Sequence, residues 1–133
     1  MRATAATQIS AFLANTPGVV AHLYASLAEH GVNVQAMTVL DTVDIGTMRM
    51  VVDDVDLAKR TLDAAGAAYV EVPVLSVAIP NAAGGFARIA RALAGAHINI
   101  DYFYATASHG SNHTVGIFRV SDRDAALEID FNL

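Results

Sequence analysis

Apolar residues along the chain alternate with polar ones in some segments and recur every three to four positions in others. Alternation over residues 8–13 predicts a strand, and the wider spacing that follows predicts a helix ending at Gly31. Alternation returns over 32–40, with the even-numbered residues expected on one face and the odd-numbered ones on the other. The apolar face of the helix is formed by Val20, Leu23, Tyr24 and Leu27.

The segment 41–72 completes a first set of elements. Residues 41–46 are rich in Asp and Gly and predict a turn, from which 47–52 returns as a strand. Asp54 or Asp56 can cap a second helix, and 69–72 is a fourth strand before the chain continues at Pro73. The order is βαββαβ, which is typical of an α+β, ferredoxin-like fold with an antiparallel sheet and helices on one face.

The second half repeats the first, because the segment 15–34 aligns with the segment 81–100 without a gap. Identical pairs include Asn15 with Asn81 and Gly18 with Gly84. The chain is therefore expected to contain two units in tandem, 1–72 and 73–133. Little chain follows the second helix of the second unit, so a last strand over 129–133 is not firmly predicted. The sheet edge that it would leave open predicts a homodimer.

Composition narrows the classes of function. A hydrophobic fraction of 54% and a charged fraction of 16% exclude disorder. The net charge of −5 argues against nucleic acid as a partner. The chain has no apolar run of the roughly 18 residues that a membrane span needs, no signal-peptide pattern and no cysteine. We therefore expect a cytoplasmic, self-associating domain without membrane or disulfide chemistry.

The loop before the first helix is the first candidate for chemistry. Pro17 suits the first position of a helix, and the free N–H groups after it favour a carboxylate. Gly18 would let the ligand approach the backbone, and Asn15 offers both a donor and an acceptor. The alternative is that Asn15 or Thr16 only caps the helix while Gly18 turns the chain.

Asn33 and Asn99 occupy equivalent positions where a strand begins, although Asn is uncommon in strands. Each side chain either reaches a ligand of the neighbouring unit or satisfies loop backbone. The segment 109–113 carries His109 and His113, but a metal site would need a third ligand. We therefore expect neither a metal nor a cofactor.

The motif Asn-x-Pro-Gly before a helix, followed by Gly-Val-Asn-Val before a strand, resembles the ACT domain, a small regulatory module that binds amino acids. Two copies in phase, over about 7–127, resemble stand-alone tandem ACT-domain proteins. The resemblance implies that a free amino acid is held at the seam between two ACT units. Asp41 or Asp44 could hold its ammonium group, although plain turn chemistry is an equal alternative. The other implied site residues are Asn15, Thr16, Pro17, Gly18 and Val19 in the first loop, Asn81, Gly84 and Gly85 in the second, and Asn33 and Asn99 across the seam.

The second loop departs from this motif, because Ala82-Ala83-Gly84-Gly85 replaces Thr-Pro-Gly and leaves the backbone less pre-organised. We expect a non-catalytic sensor that signals to a separate effector protein. One alternative is a small dimeric ferredoxin-like enzyme that uses His109, His113 or Asp44 at the subunit interface. Another is an assembly module without a ligand.

Overall fold

The structure, a computed structural model, describes residues 1–14, 16–41, 45–106 and 110–133, with the backbone alone for Asp41. These residues form two compact units, Thr7–Val72 and the combination of Met1–Ala6 with Pro73–Leu133. The predicted α+β class with two ferredoxin-like units is confirmed. In chain order the elements are β1 (Thr4–Ala14), α1 (Val19–Glu29), β2 (Val34–Asp41), β3 (Ile45–Val52), α2 (Val55–Ala64), β4 (Ala68–Pro80), α3 (Gly85–Gly95), β5 (Ile100–Thr106), β6 (His113–Val120) and α4 (Arg123–Leu127).

The Thr7–Val72 unit places both of its helices on one face of antiparallel strands. β3 lies between β2 and β1, with Met50 opposite both Ile9 and Met37. Side chains of α1 and α2 pack onto the same face of these strands. The buried core of this unit contains Ile9, Ala11, Leu13, Leu23, Leu27, Val32, Met48, Met50, Val52, Ala58 and Leu62.

The second unit repeats this arrangement. β6 lies between β4 and β5, with Phe118 opposite both Leu75 and Phe103. Phe118 is fully buried in this core. The other buried members are Leu75, Val77, Ile79, Ile89, Leu93, Ile98, Val120, Ala126 and Phe131.

β4 corrects the prediction that the strand 69–72 ends before Pro73. The structure has one strand from Ala68 to Pro80 that passes through Pro73 without a break. The ring of proline fixes φ at a value that extended backbone tolerates, and Pro73 is exposed. This proline therefore marks a boundary between units but not the end of a strand.

The strict alternation predicted over 32–40 is wrong, because β2 contains a bulge. Its register against β3 shifts between Val34 and Ala36. Beyond the shift, Met37 and Val39 stand opposite buried core residues of β3 and so lie on the helix-covered face. The same shift occurs in β5 between Ile100 and Tyr102, so the bulge belongs to the repeated unit.

The N-terminal residues pack with the second unit, which differs from the expected division into 1–72 and 73–133. Ala3 packs against the second core, and the N–H of Phe131 donates to the Met1 carbonyl at 3.0 Å. The guanidinium of Arg123 donates to the Ala6 carbonyl at 3.3 Å. Residues 128–133 form no strand. Residues 1–6 precede the segment 67–72 by 66 positions, which is the same spacing that relates 15–34 to 81–100. The homodimer was predicted because a missing last strand would leave a sheet edge open in the second unit. Residues 1–6 pack with this unit, so that reason for a homodimer no longer holds.

An ion pair joins the two ends of the chain within this unit. The N-terminal ammonium of Met1 donates to Asp130 Oδ1, and the backbone N–H of Asn132 donates to the same carboxylate at 3.0 Å. These bonds hold the pKa of Asp130 below its ordinary value of 3.8. The pKa of Asp130 is lower in the folded protein than in the unfolded chain. Its ion pair therefore stabilises the folded protein at pH values above the ordinary pKa of 3.8, and this stabilisation is lost as the pH falls through the folded-state pKa.

α1 and α3 end in the same hydrogen-bonded motif but with different residues in the left-handed position. Gly31 has φ of 79° after α1, and the following N–H of Val32 bonds to the Leu27 carbonyl at 2.9 Å. After α3, His97 has φ of 58°, and the N–H of Ile98 bonds to the Leu93 carbonyl at 2.9 Å. A histidine in this conformation is strained.

Replacing His97 by glycine is therefore expected to stabilise the protein by about 0.5–1 kcal/mol, because glycine adopts a positive φ without a Cβ penalty. Thermal unfolding should show a midpoint a few degrees higher. The reverse change at the equivalent position, Gly31→His, should lower the midpoint by a similar amount. An unchanged or lower midpoint for His97→Gly would contradict this explanation.

Candidate functional site

The helices begin in two different ways. Asp54 caps α2 and Asp122 caps α4, each accepting a hydrogen bond at 3.0 Å from the backbone N–H three residues later. α1 and α3 begin instead at Gly18 (φ 87°) and Gly84 (φ 90°), which have no side chain to cap the helix. The side chain of Thr16 therefore does not cap α1, and the alternative that Asn15 caps it lies outside the described residues. The first N–H groups of these two helices carry the positive end of the helix dipole.

A cavity of about 190 Å³ lies beside the start of α1. It is lined from β1 by Leu13 and Ala14, and from the loop by Thr16. Its other walls come from α1, the end of β2 and the start of β3. They include Val20, Val39 and Met48.

A wider cavity of about 410 Å³ lies beside the start of α3. Its loop wall is formed by Asn81, Ala82 and Ala83, which follow the end of β4. The walls from α3 and β5 include Phe86, Phe103 and Ala105.

The two cavities occupy the same place in the repeated unit. Five pairs of residues are equivalent in the repeat, and each member lines its own cavity: Leu13 and Ile79, Ala14 and Pro80, Thr16 and Ala82, Val20 and Phe86, and Val39 and Ala105. Each cavity is thus bounded by the loop that was predicted to meet a carboxylate. The sequence prediction named the loops but not the walls, since Val20 was assigned only to the helix core.

Gly85 is buried at the first position of α3, next to the second cavity. A Cβ at this residue would stand 2.8 Å from the Pro80 carbonyl oxygen and 2.9 Å from Ile79 Cγ2. The loop before α3 is therefore closely packed against the end of β4. In the first unit the equivalent residue, Val19, packs against the core.

Asn33 and Asn99 lie at the starts of β2 and β5, at the opposite end from the cavities. Each backbone N–H donates at 2.9 Å to a side chain, that of Asp53 or of Ser121. At about 3.3 Å per residue, each asparagine lies about 20 Å along its strand from the cavity of its own unit. That Asn33 and Asn99 serve the loop of the other unit stays a prediction.

Asn81 is held by the β5–β6 hairpin. Its N–H donates to the Asn112 carbonyl at 2.9 Å, and its side-chain amide donates to the Ser111 carbonyl at 2.9 Å.

Pro17 is exposed in the loop before α1. The backbone of Asp41 pairs with Gly46 at the end of β2. The predicted residues Asn15, Asp44 and His109 lie outside the described residues.

Neither cavity is lined by a charged side chain in the described part of the chain. The nearby Tyr24 of α1 directs its hydroxyl to the sulfur of Met37, and burial raises the pKa of this phenol above its ordinary value of 10.0. It therefore stays neutral at neutral pH. The described residues contain no group of three side chains able to hold a metal ion, and His113 is exposed.

The fold and the paired cavities define a duplicated ferredoxin-like protein in which a cavity recurs at the same place in both repeats. The chain matches the ACT domain pair family over residues 4–132 and belongs to that family. The resemblance seen in the sequence is therefore confirmed. None of the helices within the described ranges is long and apolar enough to cross a membrane.

Solved structures show the same fold. A protein from Bacteroides thetaiotaomicron has a TM-score of 0.88 and 28% identity, with 95% of this chain and 86% of that chain covered. The ligand-free regulatory subunit of aspartate kinase from Thermus thermophilus has a TM-score of 0.67 and 19% identity, with 96% and 93% covered. The corresponding subunit from Thermus flavus has a TM-score of 0.65 and 18% identity, with 89% and 86% covered. No curated protein sequence matches the chain.

Proposed function

We propose that this protein is a non-catalytic regulatory protein that binds a free amino acid, with the carboxylate at the start of α1 and the side chain in the adjoining cavity. The observation that carries the proposal is the recurrence of a cavity beside a glycine-started helix in both units. Both copies keep a glycine at the start of the helix beside the cavity, although the other helix of each unit is capped by Asp. This difference favours a role in binding over a role in folding for the glycine start. ACT domains are regulatory modules that generally bind small molecules such as amino acids.

The electrostatics of each cavity fit such a ligand. The N–H groups at a helix start favour an anion, which a carboxylate supplies. The walls are mostly apolar and the described ones carry no charge, so they favour a neutral side chain over a charged one. None of these described walls is a His, Asp, Glu, Lys or Cys, which supports a binding site over an acid–base or nucleophilic one.

Signalling requires that the ligand favour one arrangement of the protein over another. The placement of the ligand at the seam between the units rests on the family resemblance, and a homodimer and a separate effector protein remain predictions from the sequence.

A thermal-shift screen against the twenty amino acids tests the proposal. A ligand at a hundred times its dissociation constant should stabilise the protein by about 2.7 kcal/mol, which raises the midpoint by several degrees. A flat response to all twenty would overturn amino-acid binding.

Two glycines that flank α1 offer a matched pair of variants. Gly18 and Gly31 both have a positive φ, and a Cβ at either would meet no atom within 4 Å. Gly18→Val and Gly31→Val should therefore destabilise the fold to a similar extent, by about 1–2 kcal/mol. Only Gly18→Val should weaken binding, by about tenfold or more in calorimetric titration. Equal affinities in the two variants would exclude the start of α1 from the site.

A further inference from the structure

The two cavities differ in the size of the side chains that surround them. Val39 and Ala105 are equivalent, and they stand opposite Met48 in β3 and Gly116 in β6. The second unit thus has alanine and glycine where the first has valine and methionine. At the start of the helix the order is reversed, since Phe86 replaces Val20. The second cavity is also the larger of the two, at about 410 Å³ against about 190 Å³.

Three phenylalanine rings connect the core of the second unit to its cavity. Phe118 is fully buried and stacks on Phe103 with ring centroids 4.8 Å apart, and Phe103 stacks on Phe86 at 4.4 Å. Phe103 and Phe86 line the cavity, and their side chains are 37% and 41% exposed, respectively. A Cβ at Gly116 would stand 2.8 Å from the Phe118 ring, so this glycine leaves the space that the stack uses.

We propose that the second cavity is selective for the aromatic side chain of a free amino acid, and that the narrower first cavity takes a small aliphatic one. This inference rests on the proposed function and assigns the ligand class of each site. Partly exposed aromatic rings that are already ordered favour a further ring in offset or edge-to-face contact. The aliphatic walls of the first cavity, Val20, Val39 and Met48, offer no ring and less space.

Titration of L-phenylalanine and L-valine into the full-length protein and its Phe86→Val variant tests the selectivity. Phe86→Val gives the second cavity the residue found in the first, so the affinity for L-phenylalanine should fall by about tenfold. The affinity for L-valine, which reports on the first cavity, should not change and shows that the variant is folded.

Phe12→Val is the matched control. Phe12 is also 41% exposed, but it lies on β1 and lines neither cavity, so its replacement should leave both affinities unchanged. If L-phenylalanine binds and Phe86→Val has no more effect than Phe12→Val, the assignment of the second cavity is wrong and the proposed function stands. If no amino acid binds to the unmodified protein, the proposed function itself is overturned.

Discussion

A variant that lacks residues 1–6 is expected to lose about 2–4 kcal/mol of stability, and the loss should fall on the second unit. These residues supply the Met1 and Ala6 carbonyls, which accept hydrogen bonds from the backbone of Phe131 and the side chain of Arg123. Each such bond contributes about 1 kcal/mol. Ala3 also covers part of the second core, and its removal exposes apolar surface.

Hydrogen exchange measured by mass spectrometry resolves the two units. Amides of α3, which contributes Ile89 and Leu93 to the second core, should exchange faster in the truncated protein. Amides of α1, which packs in the first core, should keep most of their protection.

Arg2→Ala is the control for this truncation. It removes the exposed ion pair between Arg2 and Glu128, which contributes little, and leaves the backbone bonds of residues 1–6 in place. Its stability should therefore stay close to that of the unmodified protein. If truncation accelerated exchange in neither unit and left the unfolding midpoint unchanged, the assignment of residues 1–6 to the second unit would be wrong.

Gly85→Ala is expected to destabilise the protein by about 1–3 kcal/mol, although alanine is the better helix former. The added Cβ would stand 2.8 Å from the Pro80 carbonyl oxygen. Backbone cannot swing aside as a flexible side chain can, so the start of α3 must move away from β4. Chemical denaturation should show an earlier midpoint with little change in slope.

Gly95→Ala, at the other end of the same helix, separates this clash from helix propensity. No atom lies within 4 Å of a Cβ at Gly95, so the substitution should stabilise the protein by about 0.5–1 kcal/mol. If Gly85→Ala and Gly95→Ala both stabilised the protein, the loop before α3 would be able to move at little cost in free energy. That result would contradict the close packing described above.

Periodicity and the repeat predicted much of the fold. The helix ended by Gly31 and the start of α2 at Asp54 followed from local chemistry, and the alignment of the two halves predicted the second copy. The bulge after Val34 could not be predicted, because it depends on the register against β3 and not on the residues of β2 alone. The packing of residues 1–6 with the second unit depends on contacts between opposite ends of the chain.

The candidate site was predicted in part. The loop before α1 was identified because proline and glycine have strong local preferences, and the loop before α3 because it repeats the first at the same spacing. The walls were missed, since Val20 and Phe86 read as ordinary core positions and only the three-dimensional packing opens a cavity beside them. Conversely, Asn33 and Asn99 drew attention as repeated residues, and the structure gives their backbones a role at the start of a strand.

The hydrogen bond between Phe131 and Met1 has a consequence for the order in which the segments could be connected. The two ends of the chain lie close together, so a short glycine and serine linker from Leu133 to Met1 could join them. A circularly permuted protein that begins at Thr7 would then contain each unit as one uninterrupted stretch. We therefore expect the permuted protein to fold into the same two units although its segments follow one another in a different order.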